Sequence, residues 1–206
     1  MKIFLDTADH MEMLKADVDG YTTNPSLMRK AGVRDYERWA KMILKDIKKP
    51  ISFEVIADDP DEMYIQAVKI STWGDNVYAK VPVTNTKGFS MHNRIKALER
   101  NGVKVNMTAV FTPDQIKCEP SIISVFVGRV NDTGKRYKAF RHDKSEFLWA
   151  STRQARDIYD AELAGWDIIT VSPEILAKRH LKGKDLKEFS LETVNQFHQD
   201  ARGYIL

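Results

Sequence analysis

Val77-Tyr78-Ala79-Lys80-Val81-Pro82-Val83-Thr84 is the stretch from which the rest of the chain is read. β-Branched and aromatic residues dominate it and it carries one charge, the signature of a buried strand. The two-residue repeat of a strand puts Tyr78, Lys80 and Pro82 on one face and Val77, Ala79, Val81 and Val83 on the other. The second face is wholly apolar and should pack against helices. Lys80 then sits mid-strand on the opposite face, where a charge has to be paired, hydrated or lost. Pro82 removes a ladder donor, so it marks the C-terminal end of the strand and places Lys80 close to that end. Two readings of Lys80 follow. It is a nucleophile of the Schiff-base kind, activated by partial desolvation, or half of a structural ion pair with a buried carboxylate.

Outward from Lys80, further strands read at residues 3–6, 19–23, 51–56, 103–110, 122–127, 147–151 and 167–172. Between them, Asn24-Pro25, Asp59-Pro60, Thr112-Pro113 and Ser172-Pro173 each have the form of a helix cap followed by proline. Helical spacing follows in Tyr36, Trp39, Ile43 and Ile47, in Met63, Ala67 and Ile70, and in Ala155, Ile158 and Tyr159. Residues 88–100 read as a helix carrying Met91, Ile95 and Leu98, ended by Asn101-Gly102. Strand, capped helix and strand thus recur until eight strands are counted. That pattern predicts an α/β fold, a closed parallel (β/α)8 TIM barrel, as one domain over residues 1–206 with a C-terminal helix. A doubly wound open sheet is the alternative, but its glycine-rich first turn is missing from the sequence. The 206 residues lie near the short end of the barrel range, which starts at about 200. Something must be abridged, and residues 130–146, with little apolar periodicity, predict a shortened sixth helical segment.

Composition excludes several classes. Apolar content of 43% and charged content of 30% are those of an ordinary globular protein. A basic run at 135–144, interleaved with Tyr137 and Phe140, and a second at 178–187 admit a nucleic-acid reading. A net charge of only +3 weighs against it, so no nucleic-acid partner is expected. Cys118 is the only cysteine, which fits a reducing, cytoplasmic location. The N-terminus runs into a strand rather than a signal peptide, and no apolar run approaches a membrane span. The five histidines show no metal-ligand spacing, so neither metal nor cofactor is expected.

A parallel barrel does its chemistry at the C-terminal ends of its strands. Polar residues at those positions are Asp6, Asn24, Glu54, Lys80, Asn106, Thr108 and Ser151, with Arg129 and Arg153 just beyond two strand ends. Singly, each has a plain explanation: Asn24 as a helix cap, Asp6 as a turn former, Thr108 as a satisfied strand residue. A lysine ringed by acids and hydroxyls at one end of a barrel is harder to dismiss.

Four motifs then occur in order: Phe4-Leu5-Asp6-Thr7-Ala8, Thr22-Thr23-Asn24-Pro25-Ser26, Lys80-Val81-Pro82 and Phe126-Val127-Gly128-Arg129-Val130. Asn106-Met107-Thr108 and Ala150-Ser151-Thr152-Arg153 accompany them more loosely. From the first strand to the last helix, the chain resembles the transaldolase family, in particular the short branch that also holds fructose-6-phosphate aldolase. The resemblance implies a class I, Schiff-base enzyme acting on sugar phosphates. Lys80 matches the lysine that attacks the ketose carbonyl, and Asp6 the acid/base at carbon–carbon cleavage. Glu54 and Thr108 match the pair that holds a catalytic water. Asn24, Asn106 and Ser151 match groups that orient the donor hydroxyls, and Arg129 and Arg153 match the phosphate-binding arginines. Thr152 departs from the pattern, which often has an aromatic residue there.

The aldolase carries tyrosine at the position of Phe126 and glutamine at that of Glu54, so both positions follow the transaldolase pattern. A simple aldolase releasing dihydroxyacetone is the alternative within the family, and a barrel that has lost catalysis a third reading. Every mechanistic group has a candidate, which disfavours the last. The resemblance also implies a homo-oligomer, with the final helix and its stripe of Leu191, Val194, Phe197 and Ala201 on a neighbouring barrel in a ring-based assembly, a decamer. The apolar residues Tyr204, Ile205 and Leu206 beyond it should be covered as well.

Overall fold

Strands and helices alternate along the chain as the hydrophobic patterning indicates. The computed structural model describes residues 1–137, 140 and 142–204. The elements are β1 (Lys2–Asp6), α1 (His10–Lys15), β2 (Gly20–Thr22), α2 (Pro25–Lys30), α3 (Tyr36–Ile43), β3 (Ile51–Glu54), α4 (Pro60–Ser71) and β4 (Val77–Pro82). They continue with α5 (His92–Arg100), β5 (Val105–Val110), β6 (Ile122–Val125), α6 (Val127–Asp132), β7 (Glu146–Trp149), α7 (Arg156–Leu163), β8 (Ile168–Val171), α8 (Pro173–Ala177) and α9 (Leu186–Asp200). All strand pairs are parallel, the strands follow sequence order, and β8 pairs with β1 to close the barrel.

The two faces of β4 show why the sequence closes this way. Val77, Ala79, Val81 and Val83 are buried in the layer between sheet and helices, together with Met63, Ala67 and Ile70 of α4 and Ile95 and Leu98 of α5. Each buried Val, Ile, Leu or Met side chain here contributes about 1.5–3 kcal/mol relative to exposure. Pro82 is the last residue of β4, where its missing N–H breaks no ladder. Inside the barrel, Phe4, Ile122, Leu148 and Ile168 pack with Tyr78 into an apolar plug. Gly20 is required here, because a Cβ would stand 2.6 Å from the Phe4 ring and 2.8 Å from the Pro50 carbonyl oxygen. A fully buried polar layer adjoins the plug: Asn106 donates to Ser52 Oγ at 3.0 Å and accepts from Ser124 Oγ at 2.7 Å.

Two connections differ from the sequence expectation. Residues 88–91 are not helical. Gly88 takes φ +79°, the Asn85 side chain accepts from the backbone of Lys87 and Phe89, and Ser90 bridges Thr84. A side chain that satisfies local N–H groups competes with the helix, which starts only at His92. The cap-then-proline at Thr112 opens only a single 3-10 turn, Pro113–Gln115, because Gln115 Oε1 folds back onto the N–H groups of Phe111 and Thr112. The barrel is therefore abridged here as well as at α6, whose six residues meet the expectation of a shortened sixth segment. Lys138, Ala139 and Arg141 of the basic run lie outside the described residues.

By its contacts the chain divides into Met1–Leu176, which holds the barrel, and Ala177–Leu206. In the second unit Asp185 caps α9 by accepting from the N–H groups of Lys187 and Glu188, and Lys184 pairs with Glu192. Leu191, Val194 and Phe197 are exposed on α9, as is Tyr204 beyond it. Ile205 and Leu206 lie outside the described residues.

Candidate active site

Parallel pairing brings the inward residues of neighbouring strands level, so Glu54 on β3 lies beside Lys80 on β4. Lys80 is buried. Its Nζ donates to the Thr23 carbonyl at 2.9 Å and stands 2.9 Å from Glu54 Oε2. Behind Glu54, the Tyr36 hydroxyl donates to its carbonyl oxygen at 3.0 Å, and Tyr36 belongs to an aromatic cluster with Trp39, Phe53 and Trp73. Aromatic packing outside the barrel thus anchors the Glu54 backbone, and Lys80 holds its carboxylate.

Asp6 ends β1. Thr22 Oγ1 donates to its Oδ1 at 2.7 Å and shares a 2.5 Å hydrogen bond with Thr170 Oγ1. Burial pushes the Asp6 carboxyl above the ordinary carboxylate range, against the opposing pull of Lys80 and the Thr22 hydrogen bond. Thr108 Oγ1 is buried with no hydrogen-bond partner among the described residues, next to Ala109, whose φ of +59° marks an irregularity in β5. A buried hydroxyl without a protein partner is free to bond a water or a ligand in the cavity that it lines.

Asn24 is both a cap and a wall of the site. Its Oδ1 accepts from Leu27 N at 3.0 Å, while its Nδ2 has no partner among the described residues. Phe126 follows β6, and the Arg129 guanidinium of α6 lies over its ring at 4.9 Å. Ser151 follows β7 with φ +64°. Gly128 passes so close to it that a Cβ would stand 1.6 Å from the Ser151 carbonyl oxygen, which explains the glycine of the Phe126–Val130 motif. Arg153 is paired with Asp132 at 2.6 Å.

A cavity of about 560 Å³ at the C-terminal mouth is lined by Asp6, Asn24, Glu54, Lys80, Thr108, Phe126, Arg129, Ser151 and Arg153. Asn106 is the one sequence-predicted residue outside this lining. It lies in the buried layer with its amide committed to Ser52 and Ser124. Thr22, Ser124 and Thr170 also line the cavity and were missed by sequence reasoning. Their signal was the one that found Glu54: a polar residue at an inward position of a short strand.

Cys118 does not compete as a nucleophile, since burial pushes its thiol up to about 11. Among the described residues no group of His, Cys, Asp and Glu could hold a metal ion, and no helix is long and apolar enough to cross a membrane.

Fold and site together define a (β/α)8 barrel with a buried lysine in the cavity at its C-terminal mouth. The chain belongs to the transaldolase/fructose-6-phosphate aldolase family, whose sequence profile matches residues 3–205. A curated relative from Brucella anthropi, described as "Probable transaldolase", is 36% identical over 211 residues, covering 92% of this chain and 94% of its own. One of the same description from Nitrosopumilus maritimus is 35% identical over 197 residues, covering 86% of each. The crystal structure of orotidine 5'-monophosphate decarboxylase from Sulfolobus solfataricus superposes with a TM-score of 0.53 over 97% of this chain and 98% of its own. At 13% identity that likeness is one of fold alone.

Proposed function

We propose that the protein is a class I transaldolase. It transfers a dihydroxyacetone unit from a ketose phosphate, fructose 6-phosphate or sedoheptulose 7-phosphate, to an aldose phosphate through a Schiff base on Lys80. The observation that carries this reading is the Lys80–Glu54 contact inside a cavity that also presents Asp6 and two arginines.

The proposed chemistry uses these contacts. Glu54 is placed to take the proton that Lys80 must lose before its nitrogen adds to the ketose carbonyl. Loss of water gives the iminium, with Glu54 and Thr108 holding the water that shuttles protons. Asp6 then takes the β-hydroxyl proton. The electron pair of the breaking carbon–carbon bond moves into the iminium to form an enamine, and the aldehyde leaves. A carboxyl with a raised pKa suits a group that takes and returns this proton. The enamine adds to the incoming aldehyde, Asp6 returns the proton, and hydrolysis frees Lys80. Asn24 and Ser151 orient the donor hydroxyls, with Asn106 acting from beneath by fixing Ser124. Arg129 and Arg153 take the phosphate.

Transferase and aldolase diverge at the enamine, which an aldolase protonates and a transferase keeps for the acceptor. Phe126 has no hydroxyl to donate, and Glu54 is a carboxylate that holds its water as a base, which favours transfer. The reaction has its place in the pentose phosphate pathway of the cytoplasm. Incubation with fructose 6-phosphate and erythrose 4-phosphate tests the reading: transfer much faster than release of free dihydroxyacetone supports it. Equal rates make the protein a fructose-6-phosphate aldolase.

A further inference from the structure

Arg129 and Arg153 differ in one respect. Arg129 has no carboxylate partner among the described residues, whereas Asp132 grips Arg153 by one edge. Arg153 Nε donates to Asp132 Oδ2 at 2.9 Å and to Oδ1 at 3.3 Å, and Nη2 donates to Oδ2 at 2.6 Å. The Nη1 edge has no partner among the described residues. The backbone beneath is held as well, since Arg153 N donates to Asp157 Oδ2 at 2.6 Å. Asp132 and Arg153 are both about half exposed, at 49% and 50% of their side chains, and a pair so hydrated contributes little to stability. Asp132 is also the last residue of α6, the pole of a helix that disfavours a carboxylate.

We infer that Asp132 is a positioning residue for the anionic group of the substrate, acting through Arg153; this rests on the proposed handling of sugar phosphates. A guanidinium presents donors on two edges. Asp132 occupies the Nε edge, which orients the fork at the rim of the cavity and leaves the Nη1 edge for a phosphate. Helix α6 then governs both cationic arms of the site. It carries Arg129 itself, and it docks on the loop after β7 through the close approach of Gly128 to Ser151 and through the Asp132–Arg153 pair.

Calorimetric titration of the full chain with inorganic phosphate, in a double-mutant cycle, tests this. Asp132→Ala is expected to weaken phosphate binding about three- to tenfold, and Asp132→Asn, which keeps an acceptor oxygen, by no more than about twofold. In an Arg153→Ala background, Asp132→Ala is expected to change nothing further. In steady state Asp132→Ala raises the KM of a phosphorylated donor without lowering kcat, and an unphosphorylated donor is turned over as before. Four outcomes overturn the inference: no phosphate binding by the unmodified protein, tighter or unchanged binding by Asp132→Ala, an equal loss without Arg153, or a loss on both donor types. Phosphate coupling between the two residues in a protein that transfers no dihydroxyacetone would sink the proposed reaction and leave this inference standing.

Discussion

Glu54 and Lys80 are level across the β3–β4 pair, 2.9 Å apart, and each is held separately from behind: Lys80 by the Thr23 carbonyl, Glu54 by the Tyr36 hydroxyl on its own carbonyl. Removing one partner of a buried pair costs roughly 3–5 kcal/mol, because the other charge is left uncompensated. The geometry therefore holds an amine and a carboxylate at a fixed separation, which the proposed mechanism uses as nucleophile and base. The ion-pair reading of the lysine is met by this contact, and the same contact is compatible with the proposed nucleophile.

The pH dependence of Asp6 has a definite sign. Its raised pKa means that the folded chain holds the Asp6 proton more tightly than the unfolded chain does. The resulting stability is complete below the ordinary carboxylate range and is lost as pH rises through the folded value. Asp6→Asn is therefore expected to raise the melting temperature at neutral pH and to leave it unchanged in acid. The same variant should lower kcat by about 10²–10⁴ and lose an acidic limb of kcat/KM that lies above the ordinary carboxylate range. A limb at the ordinary position in the unmodified protein contradicts the assignment.

On the proposed reading, Arg129→Ala removes a charge-assisted contact to the substrate's phosphate dianion. The KM of phosphorylated sugars is expected to rise by about tenfold or more, and that of unphosphorylated analogues far less. Equal losses on both would make Arg129 a support for Phe126 and α6.

Phe126→Tyr places a hydroxyl in the cavity without changing the shape of the ring, which packs between Phe111 and Arg129. The ratio of dihydroxyacetone release to transfer should shift towards release. An unchanged ratio would show that Phe126 only fills the mouth of the barrel.

For the second unit, we propose that Leu191, Val194 and Phe197 pack on a neighbouring chain in a ring-based homo-oligomer, a decamer. Light scattering should give a multiple of the chain mass, and Phe197→Asp should lower it. A monomer at working concentration refutes this.

Strand alternation made much of this legible in the sequence. The apolar face of the Lys80 strand fixed its orientation in the barrel, and inward polarity found Glu54, Thr108 and Asp6. Thr22 and Thr170 carry the same inward polarity, but only closure of β8 onto β1 brings their hydroxyls together beside Asp6. Asn106 was placed on the right face and one layer too shallow, since the sequence does not show that Ser52 and Ser124 take up its amide. Asp132 had no signal at all, because its partner Arg153 is 21 residues away on another element. Cap-then-proline at Thr112 overstated a helix, because the motif describes how a helix begins and not how long it runs.

Borohydride reduction in the presence of fructose 6-phosphate, followed by peptide mass analysis, tests the role of Lys80 most directly. A single reduced adduct is expected on the peptide that contains Lys80. It should be absent from Lys80→Met, which is expected to remain folded, at some cost in stability, and to lose turnover. An adduct on a different lysine, or turnover of fructose 6-phosphate with no adduct trapped, contradicts it.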